Sequence, residues 1–342
     1  MRWYDARMTR IAINGFGRIG RCFFRAAHAA KADFEIVALN DLGSLENLAY
    51  LLKYDTVYKK FAGKVTVEGG KLIVDGKPIT FTQEKDPAKL PWKDLQIDIV
   101  VESTGFFTEA AKAKAHLDAG AKRVVISAPA KGEGAETILM GANEEKFKGC
   151  TISSNASCTT NAASPIIGIL DAAIGIEKAV LSTVHGYTAS QALVDAPSGK
   201  DWREGRAAAQ NIVPTSTGAA KATTLAHTQL AGKFDGISLR VPVPAGSMVD
   251  VTFIAKKPTT VEAVNAALKA AAASDRWKKV FAVSDEELVS SDIQGEPYGS
   301  IADLNMTRVV DGNLVKVLAW YDNEMGYAHT LVEHVLAAGM NA

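Results

Sequence analysis

The sequence predicts an α/β protein whose first domain carries a doubly wound parallel sheet. A second, α+β domain with a mixed or antiparallel sheet follows it. Three observations carry this. Short apolar runs alternate with helical patterns through the first half, long strands without that alternation fill the second, and the chain of 342 residues suits two domains. The predicted boundaries are 9–157 and 158–323, with a last helix over about 324–342 packing back on the first domain.

The first run, RIAIN at 10–14, ends in GFGRIGR and leads into the helical pattern CFFRAAHAA. EIVALN at 35–40 is a second buried strand ending at Asp41. KVTVEGGKLIVDGKPITF alternates with period two around Gly69-Gly70 and Asp75-Gly76, which marks small hairpins. IDIVV at 97–101 is a further strand, then a helix from about Thr108 to Gly120, then RVVIS at 123–127. Beyond these, EKAVLSTVHGYT, GISLRVPVP, MVDVTFIAKK and NLVKVLAWYDN are long strands, with helices near 159–174 and 260–273. The stretch from Asn323 to about Ala337 is apolar at helical spacing.

Composition narrows the function. Lys plus Arg and Asp plus Glu both total 38, so net charge is zero, which argues against a dedicated nucleic-acid or membrane-surface partner. No apolar run approaches the roughly 18 residues of a membrane helix, and MRWYDARMTR has no signal-peptide character. Three cysteines fit a reducing cytoplasm better than a disulfide scaffold. No metal-ligand spacing stands out.

Gly15-Phe16-Gly17-Arg18-Ile19-Gly20 fits GxGxxG between a strand and a helix. The first glycine permits the tight turn, the second lets backbone approach a pyrophosphate, and the third lets helix and strand pack closely. Asp41, closing the next strand, can accept hydrogen bonds from ribose hydroxyls and repel a 2′-phosphate, favouring NAD over NADP. Alone, Asp41 also reads as a loop acid or helix cap.

Cys22 lies in an apolar helical stretch and Cys150 before a strand, both as core residues. Cys158 stands in SNASCTTN, ahead of the helical run AASPIIGILDAA. A helix N-terminus lowers a thiol pKa, so Cys158 is a candidate nucleophile, with an N-terminal packing residue as the alternative.

SNASCTTN and NGFGRIGR, with STVHGYT at 182–188, PTSTGAAKA at 214–222, LRVPVP at 239–244 and WYDNEMGY at 320–327, resemble phosphorylating glyceraldehyde-3-phosphate dehydrogenase. The resemblance covers 9–342; only MRWYDAR stands outside it, as a native extension or an upstream start. It implies a Rossmann domain, NAD as cofactor, and oxidation of glyceraldehyde 3-phosphate with inorganic phosphate in glycolysis or gluconeogenesis. It also implies a cytoplasmic homotetramer. Cys158 becomes the nucleophile and His185 its partner, a pair able to hold a thiolate near neutral pH. An aldehyde has no alkoxide to expel hydride. Attack by Cys158 supplies one as a thiohemiacetal, and oxidation leaves a thioester for phosphate to cleave.

By the same resemblance, Thr188, Ser190 and Arg240 contact the substrate phosphate, with Arg203 near them. Ser157, Thr159, Thr217 and Gly218 line the site of the attacking phosphate, although TSTG also reads as a helix cap. Arg18 and Ile19 belong to the pyrophosphate loop with Gly15, Gly17 and Gly20. Lys85, Thr104 and Ser127 fall near the adenosine and its linkage, and Asn323 holds the nicotinamide carboxamide; Lys85 reads equally as a solvated loop residue. Loop 187–210 reaches a neighbouring subunit's cofactor site in this family, and its Ala196-Pro197 offers nothing for a 2′-phosphate. The rival readings are an erythrose-4-phosphate dehydrogenase, whose thioester goes to water, and an NAD-binding redox sensor using Cys158.

Overall fold

The computed structural model describes residues 7–199 and 201–341. Residues 1–6, most of the leading MRWYDAR, and Lys200 of loop 187–210 lie outside the described residues. The chain divides into two compact units. One comprises Met1–Ile138, Glu144–Ala156 and Leu331–Ala342; the other comprises Leu139–Asn143 and Ser157–Thr330.

Among the described residues, nine strands of the first unit form one sheet. Thr9–Asn14 lies at its middle, parallel to Phe34–Asn40 on one side and Ile99–Glu102 on the other. Arg123–Ile126, Ile152–Ser154 and Glu136–Thr137 extend the parallel part. Lys77–Thr82 pairs parallel with Phe34–Asn40, then turns the sheet antiparallel through Lys71–Val74 and Val65–Glu68. The central strands are apolar without alternation because both faces are covered: Ile11, Ala12, Ile13, Ile99, Val100 and Val101 are fully buried. This is the doubly wound class, with its crevice at the carboxyl ends of the strands.

Two local expectations needed revision. The helix expected over 108–120 is interrupted at Lys114 into Ala110–Ala113 and Ala115–Asp118. There the Leu117 N–H reaches back only three residues, to the Lys114 carbonyl. The last helix runs Met325–Met340 rather than starting at Asn323, because the Asp322 carboxylate caps it, accepting from the Glu324 and Met325 N–H groups.

The second unit holds a seven-stranded mixed sheet among its described residues. Ile176–Gly186 pairs parallel with Phe234–Val241 and antiparallel with Ser247–Ala255, which pairs in turn with Leu314–Tyr321. Ser300–Val310, Phe281–Ser284 and Val213–Ser216 complete it. The sequence reading named none of these last three. Ser300–Val310 begins with five consecutive buried residues, a pattern that shows no alternation.

Helices Cys158–Ile174 and Val261–Ala272 cover one face of this sheet with a core containing Ile166, Leu170, Val249, Val251, Leu268 and Val317. Ser247–Ala255 alternates strictly between buried and half-buried positions, the signature of one face on the core. On the opposite face Val180 and Ile237 stay exposed.

Candidate active site

In the first unit, three glycines do three different things. Gly15 takes a φ of +93°, and a Cβ there would sit 2.6 Å from the Thr104 amide nitrogen. A Cβ on Gly20 would sit 2.2 Å from the Gly15 carbonyl oxygen, so only glycine lets the helix start against the strand. A Cβ on Gly17 would meet nothing within 4 Å: this glycine faces open space, where the helix Arg18–Ala30 presents its first N–H groups. That fits a pyrophosphate.

The cleft beside the loop encloses about 530 Å³, lined by Gly15, Gly17, Asp41, Lys85, Thr104 and Phe106 among others. The Asp41 carboxylate accepts from the Phe16 N–H at 2.7 Å and the Gly43 N–H at 2.8 Å, which fixes it at the rim with lone pairs to spare. Thr104 is held from beneath by buried Glu102, which accepts its N–H at 2.8 Å and its hydroxyl at 2.5 Å. Arg18, Ile19 and Ser127 are not among the lining residues. The Arg18 guanidinium pairs with Asp55, and the Ser127 N–H donates to the Glu102 carbonyl at 2.9 Å.

Ala156, the last residue of its segment of the first unit, is buried at φ +53° and stands two residues before helix Cys158–Ile174 of the second unit. A left-handed alanine costs about 1 kcal/mol or more, and the strain stands directly beside the nucleophile candidate. Ser157 caps the helix, its hydroxyl accepting the Thr160 N–H at 3.1 Å. Cys158 opens the first turn, half-buried, while Cys22 and Cys150 are buried. Its sulfur lies 3.3 Å from His185 Nε2. His185 ends the Ile176–Gly186 strand, and the parallel register sets Arg240 directly opposite it on the same face.

Below the pair, the buried Tyr321 ring meets the His185 imidazole edge-on at 5.9 Å. The Tyr321 hydroxyl is hydrogen-bonded to Thr159 Oγ1 at 2.9 Å and Thr183 Oγ1 at 2.8 Å. The sequence reading passed over Tyr321 and Thr183. Their signal stood in WYDN and STVH, two motifs from which only Asn323 and His185 were taken.

Burial dominates the electrostatics of the pair. Burial pushes the Cys158 thiol up from its ordinary value, against the pull of the Arg240 charge and of hydrogen bonds from Thr159. Burial also pushes the His185 imidazole down to about 3, with the Arg240 charge acting the same way. Both directions come from burial, which acts against the charged forms, while Arg240 and the first-turn hydrogen bonds pull the thiol the other way. Desolvation outweighs the helix N-terminus here.

Two family models match the chain: the NAD binding domain of glyceraldehyde 3-phosphate dehydrogenase over residues 9–110, and its C-terminal domain over 157–323. The chain belongs to the glyceraldehyde 3-phosphate dehydrogenase family. Relatives of that name from Mycobacterium avium, Geobacillus stearothermophilus and Streptomyces coelicolor are 51%, 49% and 48% identical to it. The alignments cover 97%, 95% and 96% of this chain and 98%, 96% and 98% of the relatives, in the same order.

Against the glyceraldehyde 3-phosphate dehydrogenase pattern, the remaining residues fall into groups. Asn323 is buried, and its Oδ1 accepts from the Gly246 N–H at 3.2 Å and the Ser247 hydroxyl at 2.8 Å, leaving the amide nitrogen as its donor end. Thr188 and Ser190 follow the His185 strand with their hydroxyls 3.0 Å apart. Thr217 and Gly218 precede helix Ala219–Ala226, and the Thr217 hydroxyl accepts the Ala219 N–H at 3.2 Å. Thr159, next to Cys158 in the first turn, shares a hydrogen bond between its hydroxyl and that of Tyr321 at 2.9 Å. Arg203 is exposed, with Asp201 at 3.5 Å, and donates to the Pro214 carbonyl at 3.4 Å.

Proposed function

We propose that the protein oxidises D-glyceraldehyde 3-phosphate to 1,3-bisphosphoglycerate with NAD and inorganic phosphate. The observation that carries this is the Cys158–His185 contact at 3.3 Å, in the first turn of a helix and opposite Arg240. Arg240, Thr188 and Ser190 hold the substrate phosphate. Cys158 Sγ attacks the aldehyde carbon and His185 Nε2 takes the thiol proton. The first-turn N–H of Cys158 and the imidazolium stabilise the oxyanion, which takes up that proton to give the thiohemiacetal. Gly15, Gly17, Gly20, Arg18, Ile19, Asp41, Thr104, Lys85, Ser127 and Asn323 hold NAD, whose chemistry when bound is to accept a hydride.

His185 then removes the thiohemiacetal hydroxyl proton as the carbon loses hydride, and a Cys158 thioester remains. Ser157, Thr217 and Gly218 orient inorganic phosphate for attack on that thioester. The carbon–sulfur bond breaks, and the imidazolium returns its proton to sulfur. The first unit, which includes the last helix from Leu331 on, serves as the NAD-binding domain and the second unit as the catalytic domain.

The bare sheet face with Val180 and Ile237, and exposed Leu193, Val194 and Trp202 on loop 187–210, suit subunit contacts of a homotetramer. Free cysteines and the absence of any helix long and apolar enough to cross a membrane, among the described residues, suit the cytoplasm. The deciding experiment is NADH formation from glyceraldehyde 3-phosphate with and without inorganic phosphate. Turnover must depend on phosphate and yield an acyl phosphate. Equal turnover without phosphate, with release of free acid, would make the enzyme a hydrolytic relative.

A further inference from the structure

A buried hydrogen-bonded network lies under the cofactor cleft of the first unit, and its polarity follows from groups that have no choice of direction. The Glu84 backbone N–H donates to Asn40 Oδ1 at 2.9 Å, and the Glu84 carbonyl accepts from Asn40 Nδ2 at 2.8 Å. This fixes the Asn40 amide, whose Nδ2 also donates to Asn14 Oδ1 at 2.7 Å. Asn14 therefore turns its Nδ2 to Glu102 Oε2, at 2.6 Å. From the other side, the Trp92 indole N–H only donates, and it lies 3.0 Å from His116 Nδ1. Nδ1 must accept, so the ring carries its proton on Nε2, which donates to Glu102 Oε2 at 3.0 Å.

At Glu102 Oε1 the Thr104 N–H and hydroxyl arrive at 2.8 and 2.5 Å. Four donors thus converge on one carboxylate, and Asn14, Asn40, Trp92, Glu102 and His116 are all buried. A buried carboxylate is costly unless its lone pairs are met, and meeting them here settles the direction of every bond around it. Thr104 Oγ1 gives its one proton to Glu102 and accepts the Phe106 N–H at 3.1 Å, so the residue is held at three points. The two ends of the network, Glu84 and Thr104, both line the cleft.

We propose that Glu102 and His116 are positioning residues for the cofactor: through one chain of donors they hold Thr104 and the Glu84–Lys85 segment in the geometry that receives the adenosine half of NAD. The inference rests on the reading that Thr104 and Lys85 face that half, and adds that two buried side chains behind them set its affinity. His116 acts by the direction of its hydrogen bonds, since only a side chain that accepts from Trp92 and donates to Glu102 keeps the network in phase. Neither residue belongs to the Cys158–His185 pair, so cofactor binding depends on them and turnover at saturation does not.

The test uses the full-length enzyme and reads KM for NAD, kcat at saturating NAD, and the Kd of ADP-ribose. Glu102→Gln keeps the shape and puts an NH₂ group where a carboxylate oxygen stood. Turned one way that group meets the Thr104 N–H, and turned the other it meets Asn14 Nδ2 and the His116 Nε2–H. KM for NAD should rise about tenfold, as for one lost hydrogen bond to a charged group, with kcat unchanged. ADP-ribose should weaken by the same factor. His116→Phe keeps an aromatic ring with neither donor nor acceptor and should act alike. His116→Gln offers an amide oxygen to Trp92 and an NH₂ group to Glu102, and should bring KM back close to that of the unmodified enzyme.

A packing role alone gives the opposite order, phenylalanine tolerated and glutamine not, and that order overturns the proposal. So does a loss of NAD affinity that ADP-ribose does not share, or a fall in kcat with KM unchanged. Nitrogen NMR of the 15N-histidine-labelled unmodified enzyme reads the tautomer and needs no substitution. His116 should carry its proton on Nε2, and a ring protonated on Nδ1 overturns the polarity on which the proposal stands. Thr104→Val keeps the N–H bond to Glu102, deletes the hydroxyl, and should raise KM for NAD. An unchanged KM in Thr104→Val overturns the reading of Thr104 as a cofactor contact. A raised KM there, with KM unchanged in Glu102→Gln and His116→Phe, overturns the positioning role alone.

Discussion

Asp41→Asn isolates the charge proposed to select the cofactor. The carboxylate braces the loop through the Phe16 N–H at 2.7 Å and the Gly43 N–H at 2.8 Å, and its remaining lone pairs face the cleft. Asparagine keeps one acceptor oxygen, enough for the buried Phe16 N–H, and replaces the other with an NH₂ group. What is lost is a charged acceptor for a ribose hydroxyl, about 1.5–3 kcal/mol, which corresponds to roughly 10- to 150-fold in NAD affinity. NADP should gain relative to NAD, because the charge that repels its 2′-phosphate is gone, while its absolute affinity rises little.

Asp41→Ala should show the same cofactor loss and, in addition, about 1–3 kcal/mol of lost stability from the orphaned Phe16 N–H. The Gly43 N–H is exposed, and water replaces its partner. The assay is KM for NAD and for NADP at fixed aldehyde and phosphate, with a thermal melt of each variant. A KM for NAD within about twofold of the unmodified enzyme in Asp41→Asn, far under the fold-change above, would make Asp41 a loop brace only and refute the reasoning.

Three further outcomes are expected. Iodoacetamide should label Cys158 well before buried Cys22 and Cys150, and Cys158→Ala should abolish NADH formation while leaving NAD affinity intact; mass spectrometry showing equal labelling would contradict the assignment. Thr217→Val, which keeps shape and deletes a donor, should raise KM for inorganic phosphate while the NADH burst persists; a slowed burst would place Thr217 in acylation instead. Burial holds the His185 and His334 imidazoles at about 3 and His227 at about 4. The unfolded chain binds protons on all three near 6.5, so this stability is complete above pH 6.5 and declines as pH falls toward 4, at up to ~1.4 kcal/mol per residue per pH unit. Urea midpoints should drop over that range, and His334→Gln should flatten the slope; a slope that His334→Gln leaves unchanged would mean His334 is charged in the folded protein.

The sequence by itself determined the fold class, because covered parallel strands must be continuously apolar and the glycine loop has one steric reason for each glycine. Gly15, Gly20 and Asp41 were legible for that reason: their roles depend on backbone and on the next few residues. Cys158 was legible as the head of a helix, a local feature of SNASCTTN. The desolvation of that cysteine was not, because residues far away in the chain contribute it. The partnership of His185 with Arg240 follows from strand register, which pairs positions 55 residues apart. Tyr321, beneath them, reaches Thr159 across 162 residues. Long-range pairing and burial set these features, and only the folded chain has either.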